Sequence, residues 1–445
     1  MTRNGRSRVV VTGVGVVAPN GIGLEAFRSA LKAGRSGISW QEGLRNLNFA
    51  CQIGGVPPLT EDEILRVLPY SFYNKLSESM VYTALAAVEC ARSSGETIDP
   101  KNGFLDLPVD WRTGAVIGCG MGGGMDVVME EVSPTLAVAK DAVPGRGAQP
   151  LGCYAVQRIM GSAVSVTVGR LLALGAQVTT NSSACTTGTE AIFEGYKHIL
   201  LGFADSMYVG GAEGSHVAIW GGFDAMRDVL CSNYNEMPEA GSRPMSATAC
   251  GFVPGSGAGV LRLETLERAL DRGARILCEL DFAFCNSGGQ RDGGSMTFPN
   301  PEGVARCIRQ VLQEATIAPE QISLINGHLT STIADPVEVE KWVDALGLPP
   351  DRFPWIQSTK SLVGHGLGAA GAIEAVAVVD QIANGYVHPS INCEDVHPSI
   401  EKVAKRIPHA LVEQDLEAVI KASFGFGDVN GCLLFKRYDA NAGAR

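Results

Sequence analysis

Cys185 lies in Val178-Thr-Thr-Asn-Ser-Ser-Ala-Cys185-Thr-Thr-Gly-Thr-Glu-Ala-Ile, where a strand-like run ends in small polar residues and a helical pattern opens. The apolar face of that helix is Ile192, Tyr196, Ile199 and Leu200. A thiol at a helix N-terminus meets the positive end of the dipole, which favours the nucleophilic thiolate. Ala184 and Gly188 are small and leave room for a bulky thioester. Taken alone, such a cysteine is more often a buried structural residue, so the chemistry needs partners. Two loops offer them: Asn326-Gly-His328-Leu-Thr-Ser-Thr and Ser358-Thr-Lys360-Ser-Leu-Val-Gly-His365-Gly-Leu-Gly-Ala-Ala-Gly-Ala. Each histidine follows or ends a strand-like stretch, among residues typical of loops that carry function. Either one taken singly is a hydrogen-bonded structural residue. Among the seven histidines, His198 falls mid-helix and His388, His397 and His409 fall in ordinary turn or strand surroundings. Together, Cys185, His328, Lys360 and His365 supply a nucleophile, two imidazoles and a cation.

The elements that must position these groups alternate. Strands are predicted at Val9–Thr12, Ala115–Gly118, Met207–Val209, Gly259–Leu263 and Ile322–Asn326. Helices are predicted at Asp62–Val67, Ser77–Ser93, Glu190–Leu201, Thr265–Arg272, Gly303–Glu314 and Ala369–Ile382. Such alternation over the whole length implies an α/β protein with its sheets covered on both faces. No Pro- or Ser-rich linker divides the chain; the charged stretch Glu264–Arg275 is the nearest seam. A boundary there gives an N-terminal half, 1–270, holding the cysteine, and a C-terminal half, 271–445, holding the His, Lys and His loops.

The 445 residues suffice for one large or two medium domains, and 45% hydrophobic against 19% charged residues describes a well-filled core. With 36 Lys and Arg against 47 Asp and Glu the net charge is −11, which argues against a nucleic-acid binder. No apolar run is long enough for a membrane helix. The basic start and Val-rich run near the N-terminus mimic an export signal, but Gly13 and Gly15 interrupt it, which favours a buried strand and turn. Twelve cysteines with no CxxC pair and no zinc spacing read as free, mostly buried thiols, with the cytoplasm as the compartment. Gly13-Val-Gly15-Val-Val-Ala18 and Gly118-Cys-Gly120-Met-Gly122-Gly123 lack the helix start and ribose carboxylate of a dinucleotide site, and read as tight turns.

The combination of the cysteine segment, the Lys360–His365 spacing and GHGLGAAGAIE resembles the β-ketoacyl-acyl-carrier-protein synthases, in the elongating branch with a Cys-His-His site. The resemblance runs from Val9-Val-Val-Thr-Gly-Val-Gly-Val-Val to Ser423-Phe-Gly-Phe-Gly-Asp-Val-Asn-Gly-Cys-Leu-Leu-Phe. It implies the thiolase-like fold, two similar halves in a five-layered αβαβα core, usually as a dimer. It implies a decarboxylating Claisen condensation with Cys185 as nucleophile and with His328 and His365 as donors to the malonyl thioester oxygen. The backbone N–H groups of Cys185 and Phe426 then form the oxyanion hole. Lys360 organises the histidines, with Glu338 as its carboxylate partner. Thr330 and Thr332 contact the pantetheine arm, and Phe424 and Phe426 belong to a mobile loop that screens the acyl pocket. Lys75 and Arg227 present positive charge to an acidic acyl carrier protein; Phe223, Ile159 and Met160 line the acyl tunnel, although core packing accounts for these three equally well. No metal or other cofactor is implied, since the substrates ride on the carrier's phosphopantetheine arm.

Some positions depart from the family pattern. Leu329 stands where the family usually has Gly, and Asp428-Val429 replaces Gly-Thr in the last motif, so the gating loop is expected to move differently. The stretch from Ser242 to Gly259 lacks its usual acidic residues. These changes point to a side branch that differs in substrate, in fatty-acid, polyene or polyketide assembly. The competing reading is a non-catalytic chain-length factor that pairs with an active synthase; such partners lack the cysteine that is present here. Thiolases and Cys-His-Asn initiating synthases share the fold but not the second histidine motif, and a thiol hydrolase leaves the paired His loops unexplained. The working unit is expected to be a homodimer or a mixed pair with a chain-length factor.

Overall fold

The Val-rich run near the N-terminus is the strand Val9–Ala18 (β1), buried along its whole length, as β-branched residues covered on both faces require. The computed structural model describes residues 2–3, 6–98, 108–121 and 123–440, so Gly122 of the second glycine pattern lies outside the described residues. Apart from the two-residue strand Gly21–Ile22, which pairs with the end of β1, the other strands of the central sheet are Thr113–Cys119 (β2), Val178–Thr179 (β3), Ser206–Glu213 (β4), Gly257–Thr265 (β5), Cys278–Ser287 (β6), Ile322–Asn326 (β7), Trp355–Gln357 (β8), Ala418–Gly425 (β9) and Val429–Lys436 (β10). They run in the order β8-β7-β9-β10-β6-β1-β5-β4-β2-β3.

That order contains one pattern twice. β1 pairs antiparallel with β5 and β5 antiparallel with β4, while β4 with β2 and β2 with β3 are parallel. In the second half β6–β10 and β10–β9 are antiparallel, while β9–β7 and β7–β8 are parallel. The halves meet where Cys278 and Leu280 pair with Val11 and Val9.

Helices cover and separate the halves. Glu78–Ser93 (α1) and Ala163–Leu171 (α2) pack on the outer face of the first half around a core that includes Val88, Ile117 and Val168. Thr187–Leu200 (α3) and Ala370–Asn384 (α4) lie between the halves, with Ile192, Tyr196, Val376 and Val379 in the core that both sheets share. The outer layer of the second half holds Pro301–Glu314 and Asp335–Leu346 (α5), around Ile308, Val311, Trp342 and Ile325. This is the expected two-half, five-layered αβαβα arrangement. The glycine pattern in β1 is different from the turn it suggests: a Cβ on Gly15 would lie 2.7 Å from Cys90 N, so the glycines admit α1 against the strand.

The topology places the chemistry. Cys185 follows β3, His328 follows β7, and His365 follows β8 after the short helix Lys360–Val363. All three leave the carboxyl ends of parallel strands, where open α/β sheets put their binding crevices.

Candidate active site

Cys185 sits two residues before α3, behind Ala184, whose φ of +49° costs a non-glycine residue roughly 1–2 kcal/mol. That turn holds the sulfur at the junction of both halves, where the backbone N–H of Phe426 donates to it. The thiol is 6% exposed, and burial pushes its pKa up to about 11, against the pull of Phe426 N–H and the Lys360 cation. The expected dipole-stabilised thiolate is therefore not the resting form: removal from water outweighs a helix end that begins only at Thr187. Gly188 also has a different purpose from the one its size suggests. A Cβ there would lie 2.7 Å from Ala372 N, so it lets α3 touch α4.

The Cys185 sulfur and one ring nitrogen each of His328 and His365 all lie within 4.8 Å of one another. The imidazole rings stand 5.4 Å apart at 82°. His365 Nδ1 accepts from Leu367 N at 3.2 Å, which leaves the proton on Nε2, and Nε2 is buried without a partner. His328 Nδ1 is likewise buried and unpartnered. Burial, reinforced by the charge of Lys360, holds both histidines well below their usual 6.5. The pair is thus neutral, with hydrogen-bonding capacity aimed at something the protein itself does not supply. The same three side chains are close enough to share a metal ion, and they are also the donor set that thioester chemistry needs.

A charge cluster fixes the loops behind them. Lys360 Nζ donates to the backbone oxygen of His328 at 2.6 Å and pairs with Glu374 on α4. Lys421 on β9 lies 2.8 Å from the other Glu374 oxygen, so one buried carboxylate serves two buried lysines. Glu338 is not the partner of Lys360. Its carboxylate accepts from His328 N at 2.8 Å, Leu329 N at 2.9 Å and Trp342 Nε1 at 3.2 Å, because the first turn of α5 points it at the loop's backbone. Burial nevertheless raises it to about 7. Asp335, also in that turn, accepts from Thr330 N at 2.7 Å and Ser331 N at 2.9 Å. Two carboxylates thereby fold the His328 loop, including Leu329, which is buried at a left-handed φ of +26°. Glu374 and Lys421 were missed in the sequence. Their signals are a lone Glu in Ala-Gly-Ala-Ile-Glu-Ala-Val-Ala-Val-Val and a lone Lys in Ala-Val-Ile-Lys-Ala, charges that apolar elements must pair.

Two cavities reach Cys185. One, of about 310 Å³, runs past His328, His365, Thr330, Thr332 and Phe424. Thr330 and Thr332 hydroxyls lie 2.9 Å apart there, and Phe424 stands edge-on to His328 at 6.4 Å. The second, of about 460 Å³, is largely apolar and is lined by Phe223, Met226, Met121 and Phe426. The Phe223 ring lies 6.0 Å from that of Phe426, tilted at 57°, and Phe426 borders both cavities. Ile159, which is partly exposed, and Met160 line neither; Met160 instead borders a separate cavity of about 250 Å³ with Lys75, whose Nζ sits over the Tyr154 ring at 4.9 Å. Arg227 is exposed between Met226 and Asp228, one residue of each Cys185 cavity.

The hairpin that carries Phe426 turns through Gly427 and Asp428, at φ +82° and +62°. Asp428 is fully buried and accepts from Asn300 N at 2.9 Å and Gln290 N at 2.8 Å, while Gly427 N donates to Met296 O at 2.8 Å. The departure at 428 thus straps the Phe424–Phe426 loop to the segment 288–300. Asp428→Ala leaves two backbone N–H groups unpaired and is expected to cost about 1–3 kcal/mol in urea unfolding. A change within about 0.5 kcal/mol, the usual size of a surface substitution, would remove the strap from the account.

The family description "Beta-ketoacyl synthase, N-terminal domain" matches residues 6–269, and "Beta-ketoacyl synthase, C-terminal domain" matches residues 277–394. The chain belongs to the β-ketoacyl synthase family. Its similarity to the 3-oxoacyl-[acyl-carrier-protein] synthase 1 of Haemophilus influenzae is 35% identity over 434 residues, 97% of this chain and 99% of that one. Among solved structures, this β-ketoacyl synthase resembles one chain from the structure of a type II PKS acyl-carrier protein in complex with its ketosynthase bound to the hexaketide. The TM-score is 0.81 at 26% identity, covering 98% of this chain and 100% of that one. It also resembles the ishigamide ketosynthase/chain length factor, with a TM-score of 0.83 at 27% identity over 98% of this chain and 100% of that one.

Proposed function

We propose that this protein is a β-ketoacyl-acyl-carrier-protein synthase that extends a Cys185-bound acyl chain by decarboxylative condensation with a malonyl thioester. The observation that carries the reading is the meeting of the Cys185 sulfur with two neutral imidazoles, within 4.8 Å, where two cavities converge. In the first step Cys185 attacks an acyl thioester, the acyl–sulfur bond to the carrier breaks, and the thiol proton leaves with the carrier's sulfur. The apolar cavity beside Phe223 receives the chain, and each methylene it buries contributes about 0.8 kcal/mol. In this reading the Phe426 N–H, which donates to the sulfur, and that of Cys185 stabilise the tetrahedral oxyanion.

The malonyl arm then enters past Thr330 and Thr332. Loss of carbon dioxide leaves an enolate, whose oxygen takes hydrogen bonds from His365 Nε2–H and from His328. The enolate carbon attacks the Cys185 thioester, a carbon–carbon bond forms, and the cysteine leaves as thiolate and recovers a proton from solvent. Lys360, Glu374 and Glu338 act through the loops they hold and touch no reacting atom.

The reading needs no metal or other cofactor, since the carbon dioxide lost drives the bond formation. It calls for an acyl carrier protein as partner, with exposed Arg227 at the cavity mouths and Lys75 facing its acidic surface. The working unit is a homodimer or a mixed pair with a chain-length factor, in the cytoplasm; no described helix is long and apolar enough to cross a membrane. A non-catalytic role is disfavoured because the nucleophile and both histidines are present and assembled. The test is incubation with acyl-carrier thioesters of graded length and malonyl-carrier. The expected result is carbon dioxide release and a carrier product two carbons longer; no condensation with any chain would overturn the reading.

A further inference from the structure

Cys231 and Cys250 belong to neither the site nor the mechanism above. Their segments are laced by the main chain: Leu230 bridges Phe252, Cys231 N donates to Phe252 O at 2.9 Å, and Phe252 N donates to Val229 O at 2.9 Å. That pairing sets the two sulfurs 3.0 Å apart. A disulfide between them needs this gap shortened by about 1 Å. Cys231 is buried and Cys250 half-buried, so Cys250 is the more accessible of the two. The Cys231 thiol and the Arg243 cation both favour the Cys250 thiolate, while Cys231 is held protonated by the same contact. An accessible attacking sulfur backed by a protonated resolving one is the arrangement of a redox-active pair. Cys185, in contrast, is buried where its two cavities meet, and its thiol is pushed up to about 11.

We propose that Cys231 and Cys250 form a reversible dithiol–disulfide couple that is oxidised by hydrogen peroxide before the nucleophile Cys185 is. The Cys250 sulfur attacks one peroxide oxygen, the O–O bond breaks, and the departing hydroxide takes a proton to leave as water. The Cys231 sulfur then attacks the resulting sulfenic acid, the S–O bond breaks, and the hydroxyl leaves as a second water with the Cys231 proton. Two electrons pass from the sulfurs to the peroxide, and a small dithiol returns them.

The experiment treats the full chain with one equivalent of hydrogen peroxide, with mass analysis of the whole protein and of its peptides, beside Cys250→Ser and Cys231→Ala. The wild type is expected to lose about 2 Da, to yield a Cys231–Cys250 crosslinked peptide, and to regain its mass with dithiothreitol. Cys185 in that sample still takes an acyl group from an acyl thioester. Neither variant is expected to show the loss, and both are expected to keep basal condensation, which certifies that they fold. A gain of about 16 or 32 Da on Cys185 or on exposed Cys153, with Cys231 and Cys250 still free, would overturn the proposal. So would a crosslink of Cys250 to Cys51.

Discussion

Glu374→Gln is expected to destabilise the protein by about 3–5 kcal/mol, because it strands two buried cations at once. Lys360 and Lys421 both point their ammonium groups at this carboxylate, and all three side chains are at most 2% exposed. Lys421 is already held below its usual 10.5 by burial, with Glu374 opposing that shift, so losing the anion removes the main interaction that counters burial and Lys360. Urea unfolding measures the cost. The loss also has a catalytic face, since Lys360 holds the His328 backbone oxygen at 2.6 Å and would swing from it without Glu374. Lys421→Met combined with Glu374→Gln removes one cation together with the anion, and is expected to recover part of the lost stability. A Glu374→Gln cost below about 1 kcal/mol, an ordinary surface value, would show that the cluster is not a closed charge unit.

His365→Ala is the second large effect, and its signature is selective. The Nε2–H donor is buried, unpartnered and fixed by Leu367 N on the opposite nitrogen. Removing one such donor typically costs about 2.7–4 kcal/mol of barrier, or about 10²–10³ in rate. Condensation is expected to fall by that factor while acylation of Cys185 persists, because the first step does not use the enolate donors. His365→Asn keeps an N–H and is expected to recover part of the rate. The pH dependence has a definite sign. Both histidines are held well below 6.5, so the neutral donor form persists as the pH falls through that value. Single-turnover condensation is therefore expected to show no acid limb at 6.5 from these rings; a limb there that disappears in His365→Asn would contradict the assignment.

Much of this site is legible in the sequence because its reactive groups lie in local motifs that follow strands. Cys185, His328 and His365 each leave the carboxyl end of a parallel strand, and the alternation of strands and helices announces that architecture. What the sequence hides are pairings across the fold. Glu338 and Glu374 both follow Lys360 or His328 at short spacing, and only the direction of α5 and α4 decides which carboxylate meets the lysine. Lys421 is invisible as a site residue until β9 is laid beside α4. The dipole argument for Cys185 fails for a related reason: sequence gives the helix start but not the depth of burial. Asp428 reads only as a change in how the gating loop moves and proves to be a strap, because its partners at Gln290 and Asn300 lie more than a hundred residues away.

Intact-mass analysis of the wild type and Cys185→Ala, after exposure to an acyl-carrier thioester and then to malonyl-carrier, tests the central claim most directly. The expected result is a wild-type mass gain equal to the acyl group, mapped to the Cys185 peptide, absent in the variant and discharged when malonyl-carrier is added. Acylation that survives Cys185→Ala, or an acyl group on Cys185 that malonyl-carrier never removes, would contradict it.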